Sequence, residues 1–117
     1  MTSKEISLAV CKALSDRKGK DIFVICVKDK TSLCDYFVLA SGTSTTHIKS
    51  LGERVEETLE KEFGIVPTRS EGVRDGRWAA IDYGDVIVHI MDEETRAFYR
   101  LERLWADETN LEKYEEK

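Results

Sequence analysis

Cysteine is scarce and scattered. Cys11, Cys26 and Cys34 are odd in number, none sits in a Cys-x-x-Cys pair, and Cys26 lies inside an apolar, strand-like run. That usage excludes a disulfide framework and fits a reducing compartment. Histidine is scarcer still. His47 and His89 are far apart, so the clustered Cys/His ligands of a zinc site are missing. Neither a metal nor a cofactor is expected. No stretch approaches the roughly 20 apolar residues of a membrane span. The start, Met1-Thr2-Ser3-Lys4-Glu5, lacks the charged lead and apolar core of a signal peptide. The expectation is a cytoplasmic chain with no membrane partner. Positive charge is also short: 18 Lys and Arg against 23 Asp and Glu leave a formal net charge of −5. Holding nucleic-acid backbone requires a basic footprint. The balance therefore weighs against a direct nucleic-acid grip, although a basic stripe can hide inside an acidic total. A basic protein partner is compatible with it. Internal repeats and low-complexity segments are absent.

What is present is enough for one domain with a core of its own. The chain has 117 residues, 41% hydrophobic and 35% charged, a soluble globular balance. Residues 3 to 17 carry Ile6, Ala9, Val10, Ala13 and Leu14 at helical spacing. Thr2 and Glu5 can form a capping box, and Gly19 stops the helix. Ile22–Val27 and Tyr36–Ala40 are apolar without alternation, which predicts strands buried on both faces in the sheet interior. A second helix is predicted from Thr45 to Phe63, with Ile48, Leu51, Val55, Leu59 and Phe63 as its stripe and Gly64 as its stop. Pro67, a short strand at Thr68–Ser70 and the turn Arg74-Asp75-Gly76 lead to a hairpin. Glu93 to Trp105 reads as mostly helical, with Ala97, Leu101 and Leu104 on one side. The segment 107–117 is acidic with little to bury, and is expected to be frayed or disordered. The order predicts an α+β fold over residues 1–106, with helices packed on a mixed sheet of about five strands.

The hairpin, Trp78 to Met91, carries the most information. Two β-branched, apolar runs flank Tyr83-Gly84, a tight-turn signal. A two-residue Tyr83-Gly84 loop would set Asp82 against Asp85, Ala80 against Ile87 and Trp78 against His89. Alternation gives one plain core face, with Ala79, Ile81, Val86, Val88 and Ile90. The other face holds Trp78, Ala80, Asp82, Asp85, Ile87, His89 and Met91. Such a mixture of aromatic, apolar and charged groups suits a contact surface. It equally fits turn polarity at Asp82 and Asp85 and a half-buried Trp–His pair. A one-residue slip would exchange the faces.

Catalytic constellations are weak. Ser41-Gly42-Thr43-Ser44-Thr45-Thr46 joins a strand to a helix, where backbone N–H groups can hold an anion. A glycine turn with a Ser or Thr cap accounts for it more simply. It is no P-loop, because no Gly-Lys-Ser/Thr follows. It faintly resembles the Gly-Ser motif of nucleotidyltransferases, the alternative function, but those enzymes need an Asp-x-Asp pair on a following strand to hold two metal ions. Asp82 and Asp85 flank a turn instead. Asp85 and His89 stand roughly 13 Å apart along a strand, too far for a dyad.

Four motifs together resemble the ribosomal silencing factor family, also called Iojap-like: Asp35-Tyr36-Phe37-Val38-Leu39-Ala40-Ser41-Gly42-Thr43-Ser44, the run from Glu71-Gly72 to Trp78, Asp82-Tyr83-Gly84-Asp85-Val86-Ile87-Val88-His89, and Phe98-Tyr99-Arg100-Leu101-Glu102-Arg103-Leu104-Trp105. Their order and spacing match over about residues 3 to 107. The resemblance implies a translational repressor and no enzymatic activity. It implies binding to ribosomal protein fourteen on the large subunit, a steric block of small-subunit joining when nutrients are short, a nucleotidyltransferase-like fold without catalytic carboxylates, and a homodimer when free. The candidate partner-binding residues are Trp78, Asp82, Tyr83, Asp85 and His89, with Arg96 and Tyr99 of the last helix as neighbours.

Overall fold

The computed structural model describes residues 2–72, 77–107 and 109–114. The expected turn Arg74-Asp75-Gly76 lies outside them. The elements are α1 (Ser3–Asp16), β1 (Lys20–Cys26), β2 (Tyr36–Gly42), α2 (Thr45–Phe63), β3 (Arg69–Glu71), β4 (Trp78–Asp82), β5 (Val86–Asp92), α3 (Glu93–Tyr99), α4 (Leu101–Trp105) and β6 (Leu111–Lys113). The fold is α+β, on a six-stranded sheet in the order β3-β4-β5-β2-β1-β6. The central pair, β2 with β5, is parallel, and the other pairs are antiparallel. Among the described residues no helix is long and apolar enough to cross a membrane.

Helix ends follow local chemistry. Thr2 Oγ1 accepts from Glu5 N at 3.1 Å while Glu5 reaches back to Thr2 N, the expected capping box. Gly19 is not the residue that turns the chain out of α1. Lys18 does so, at φ 62°. Gly19 N donates to Leu14 O and Lys18 N to Ser15 O, a Schellman closure with lysine where glycine is usual. Gly64 does end α2, at φ 68°.

The sheet divides two apolar layers. On one side α1 and α2 seal Val38, Ala40, Ile81, Val88 and Ile90 against Leu14, Leu51 and Leu59. On the other, Ile25, Phe37, Leu39 and Met91 lie beneath Leu101 and Trp105. Burial on both sides explains the unbroken apolar run of β2.

Three expectations change. The last helix breaks at Arg100, which has φ 47°, so Ala97 and Leu104 stay exposed and only Leu101 packs inward. The acidic segment after residue 106 is ordered where it is described: β6 pairs with β1, and Asn110 Nδ2 donates to Cys26 O and Trp105 O, both at 2.9 Å. Composition hid this, because three exposed residues gain their order from backbone pairing and one amide. A sixth strand results, and β1 is interior for that reason.

Candidate functional site

The hairpin places the candidate residues, with a register that differs from the expected one. Asp82 pairs with Ile87, Ala80 with His89 and Trp78 with Met91. The turn residues are Gly84 and Asp85, and Tyr83 N donates to Val86 O at 2.9 Å. Gly84, at φ 88°, takes the first central position, where a type II′ turn needs glycine. The offset is two residues, so each side chain keeps its expected face. Ala79, Ile81, Val86, Val88 and Ile90 are fully buried on the helix-covered side.

Trp78 and His89 meet diagonally. Trp78 Nε1 donates to His89 Nδ1 at 3.0 Å. That bond fixes the tautomer, with the ring proton on Nε2. His89 is edged by Phe37, with ring centroids 5.7 Å apart, and burial pulls its pKa down to about 4. It is a neutral acceptor that holds the indole in place. Trp78 stacks obliquely on Tyr99 at 4.7 Å, and Tyr99 meets Phe98 edge-on at 5.1 Å. On the inner side Phe37 meets Trp105 at 5.3 Å. An aromatic chain therefore runs from an inner end, with Phe37 buried between half-buried Trp105 and His89, to an exposed one. Phe98 is 80% exposed and Tyr99 48%. Sequence reasoning missed Phe98. The available signal was an aromatic standing off the Ala97–Leu101–Leu104 stripe.

Two candidate residues lie elsewhere. Tyr83 packs into the helix-covered layer, where its hydroxyl is buried and its pKa is raised by burial and by Glu56. Arg96 is only 6% exposed; Nη1 donates to Asp21 O at 2.7 Å and to Ser41 Oγ at 2.9 Å, and its guanidinium lies over Phe23. It ties α3 to β1 and β2 and presents almost nothing to a partner. Helical spacing alone could not separate a buried arginine from a surface one.

The carboxylates serve the turn. Asp82 Oδ1 accepts from Gly84 N at 2.7 Å, and Asp85 is exposed in the turn itself. Asp82, Asp35 and Asp85 share one end of the sheet, where burial first and their charges second push the Cys34 thiol up to about 11. The Ser41–Thr46 connection is likewise spent on structure. Ser44 Oγ accepts from His47 N, and Thr43 N donates to His47 Nδ1. A Cβ on Gly42 would stand 2.6 Å from Ile48 Cγ1. The arrangement offers a surface with an aromatic edge.

A family model described as ribosomal silencing factor during starvation matches residues 1–117. A ribosomal silencing factor of Chromobacterium violaceum is 40% identical over 105 residues, covering 90% of this chain and 85% of that one. One from Halalkalibacterium halodurans is 30% identical over 112 residues, covering 96% and 95%. A crystal structure of a Chromobacterium violaceum protein is similar with a TM-score of 0.87 at 38% identity, over 93% of this chain and 90% of that chain. The two relatives compared by sequence are named as silencing factors, not as enzymes. The chain belongs to the ribosomal silencing factor family.

Proposed function

We propose that this protein represses translation by occupying the large ribosomal subunit through its ribosomal protein fourteen, so that the small subunit cannot join when nutrients are short. The observation that carries the reading is the family match over the whole chain. A joining block needs an occupied surface and no chemistry. The exposed end of the aromatic chain, Trp78, Tyr99 and Phe98, supplies such a surface, and Trp and Tyr are common interface anchors. Asp82 and Asp85, at the opposite end of β4 and β5, would meet basic side chains of the partner. The nucleotidyltransferase-like description of the scaffold belongs to the same proposal, with Asp82 and Asp85 as turn residues and not a metal-holding pair.

Purified protein should sediment with isolated large subunits and lower the yield of joined ribosomes. Trp78→Ala removes a donor to a buried histidine, so it should lower stability as well as binding. Phe98→Ala is the cleaner test, because Phe98 stands in solvent; it should weaken binding tenfold or more, about 1.4 kcal/mol or above, with no fall in melting temperature. Failure of the protein to sediment with large subunits would overturn the proposal. So would nucleoside triphosphate turnover abolished by Asp82→Ala.

A further inference from the structure

The net charge hides a local reversal. Arg17, Lys18, Lys20 and Lys49 are all exposed, where the end of α1, the start of β1 and the first turns of α2 meet. The corner is pinned. Arg17 Nη1 donates to Ser50 Oγ at 2.9 Å. His47 takes a proton donor on Nδ1, so its Nε2 carries hydrogen and donates to Arg17 O at 2.8 Å. Of the acids around it, Asp16 is engaged by Arg54 at 3.2 Å, Asp21 remains, Glu53 stands one turn beyond Lys49 on α2, and Glu93 and Glu102 line the hollow over Ser41. Among the described residues Lys18, Lys20 and Lys49 enter no ion pair.

Two further observations point outward. Lys18 holds the left-handed conformation at φ 62°, at a helix end that glycine would close without strain. The chain keeps a charged side chain there at a conformational cost, and costs of that kind collect at functional positions. The corner also adjoins the aromatic edge. Lys20 pairs with Ser41, Ser41 with Met91 and Met91 with Trp78, one lateral row across four strands. At the usual strand spacing the row spans about 14 Å.

We propose that Arg17, Lys18, Lys20 and Lys49 contact the phosphate backbone of ribosomal RNA beside the protein-binding aromatic edge. The inference rests on the large-subunit reading above. Four exposed cations of this kind contact phosphates and do not read bases. They add a salt-dependent increment to a docking that the aromatic edge directs, and they orient the molecule on the subunit. An acidic remainder keeps the protein off RNA elsewhere.

The test is binding to isolated large subunits over a range of salt, for the parent chain and for the triple variant Lys18→Gly, Lys20→Gln, Lys49→Gln. Lys61→Gln, at the far end of α2, is the charge control. The triple variant should melt no lower than the parent, because Lys18→Gly relieves backbone strain. Its logarithmic salt slope should fall by about 2 to 3, at roughly 0.9 or somewhat less for each phosphate no longer neutralised, with about tenfold weaker binding at low salt. A parent that binds and a triple variant with the same affinity and slope would overturn this proposal and leave the silencing role standing. An equal loss in Lys61→Gln would reduce the effect to net charge and overturn it too. A parent that does not bind large subunits would remove both readings.

Discussion

His89 stays neutral at neutral pH because its surroundings are aromatic and apolar and because its Nδ1 already accepts from Trp78. Protonation would put a charge among rings and turn the acceptor into a donor facing a donor. The folded pKa, about 4, lies below the ordinary histidine value of 6.5. Between those values the unfolded chain binds the extra proton, so stability falls as pH drops through that window and is fully present above it. One pKa unit corresponds to about 1.4 kcal/mol. Melting measured from pH 7 to pH 4 should show a smaller loss in His89→Gln, where an amide oxygen can still accept from the indole. An identical loss in parent and variant would place the acid sensitivity in other groups. The residue scale is also where sequence reading has least purchase. Alternation finds the face of Trp78 and His89, but nothing in the pattern distinguishes an arginine that binds a carbonyl in the interior from one that faces solvent.

At the scale of elements the molecule depends on its last strand. β6 covers the outer edge of β1, and Asn110 joins three pieces by donating to Cys26 O and Trp105 O while Asp107 N donates to Asn110 Oδ1 at 2.6 Å. Asn110→Ala would leave two partly buried carbonyls unserved, at a cost of about 1 to 3 kcal/mol. It should also bare the β1 edge, where strands of other molecules can add. Denaturant unfolding and light scattering check the two effects; an unchanged midpoint would mean that β6 contributes nothing to the fold. The helices α1 and α2 and the strands β1, β2, β4 and β5 are legible in the sequence, because periodicity and caps declare them. β6 is not, since three exposed residues carry no periodic signal. The break at Arg100 is not, since a left-handed arginine breaks the local rule. The hairpin turn differs from its expected pairing by two residues because glycine fits either central position, and only the strand register decides.

At the scale of the whole molecule, one face of the sheet is covered by the long helices α1 and α2, and among the described residues the other is covered by α3 and α4. The second side leaves Phe98 and Tyr99 in water at one edge. The same patch is proposed to meet the ribosomal partner, and a second copy of the chain would cover it equally well, in the two-fold manner usual for small oligomers. Light scattering of the free protein should give a dimer at micromolar concentration, and purified large subunits should carry one copy each. Two copies per subunit, or a monomer throughout, would separate self-association from ribosome binding.

The parallel joining of β2 to β5 has a consequence in time. The two strands at the centre of the sheet are divided in sequence by α2, β3 and β4. Closing that pair means ordering nearly all the intervening chain before the pairing repays the loop's entropy, which makes such closures slow. During synthesis α1, β1, β2 and α2 emerge first and can gather, but one edge of β2 stays unpaired until β5 arrives, and Phe37 and Leu39 stay wet until Leu101 and Trp105 close over them. A protein proposed to halt translation therefore completes its own core only after β5 and α4 have been made, and its half-made form is the one most in need of a chaperone.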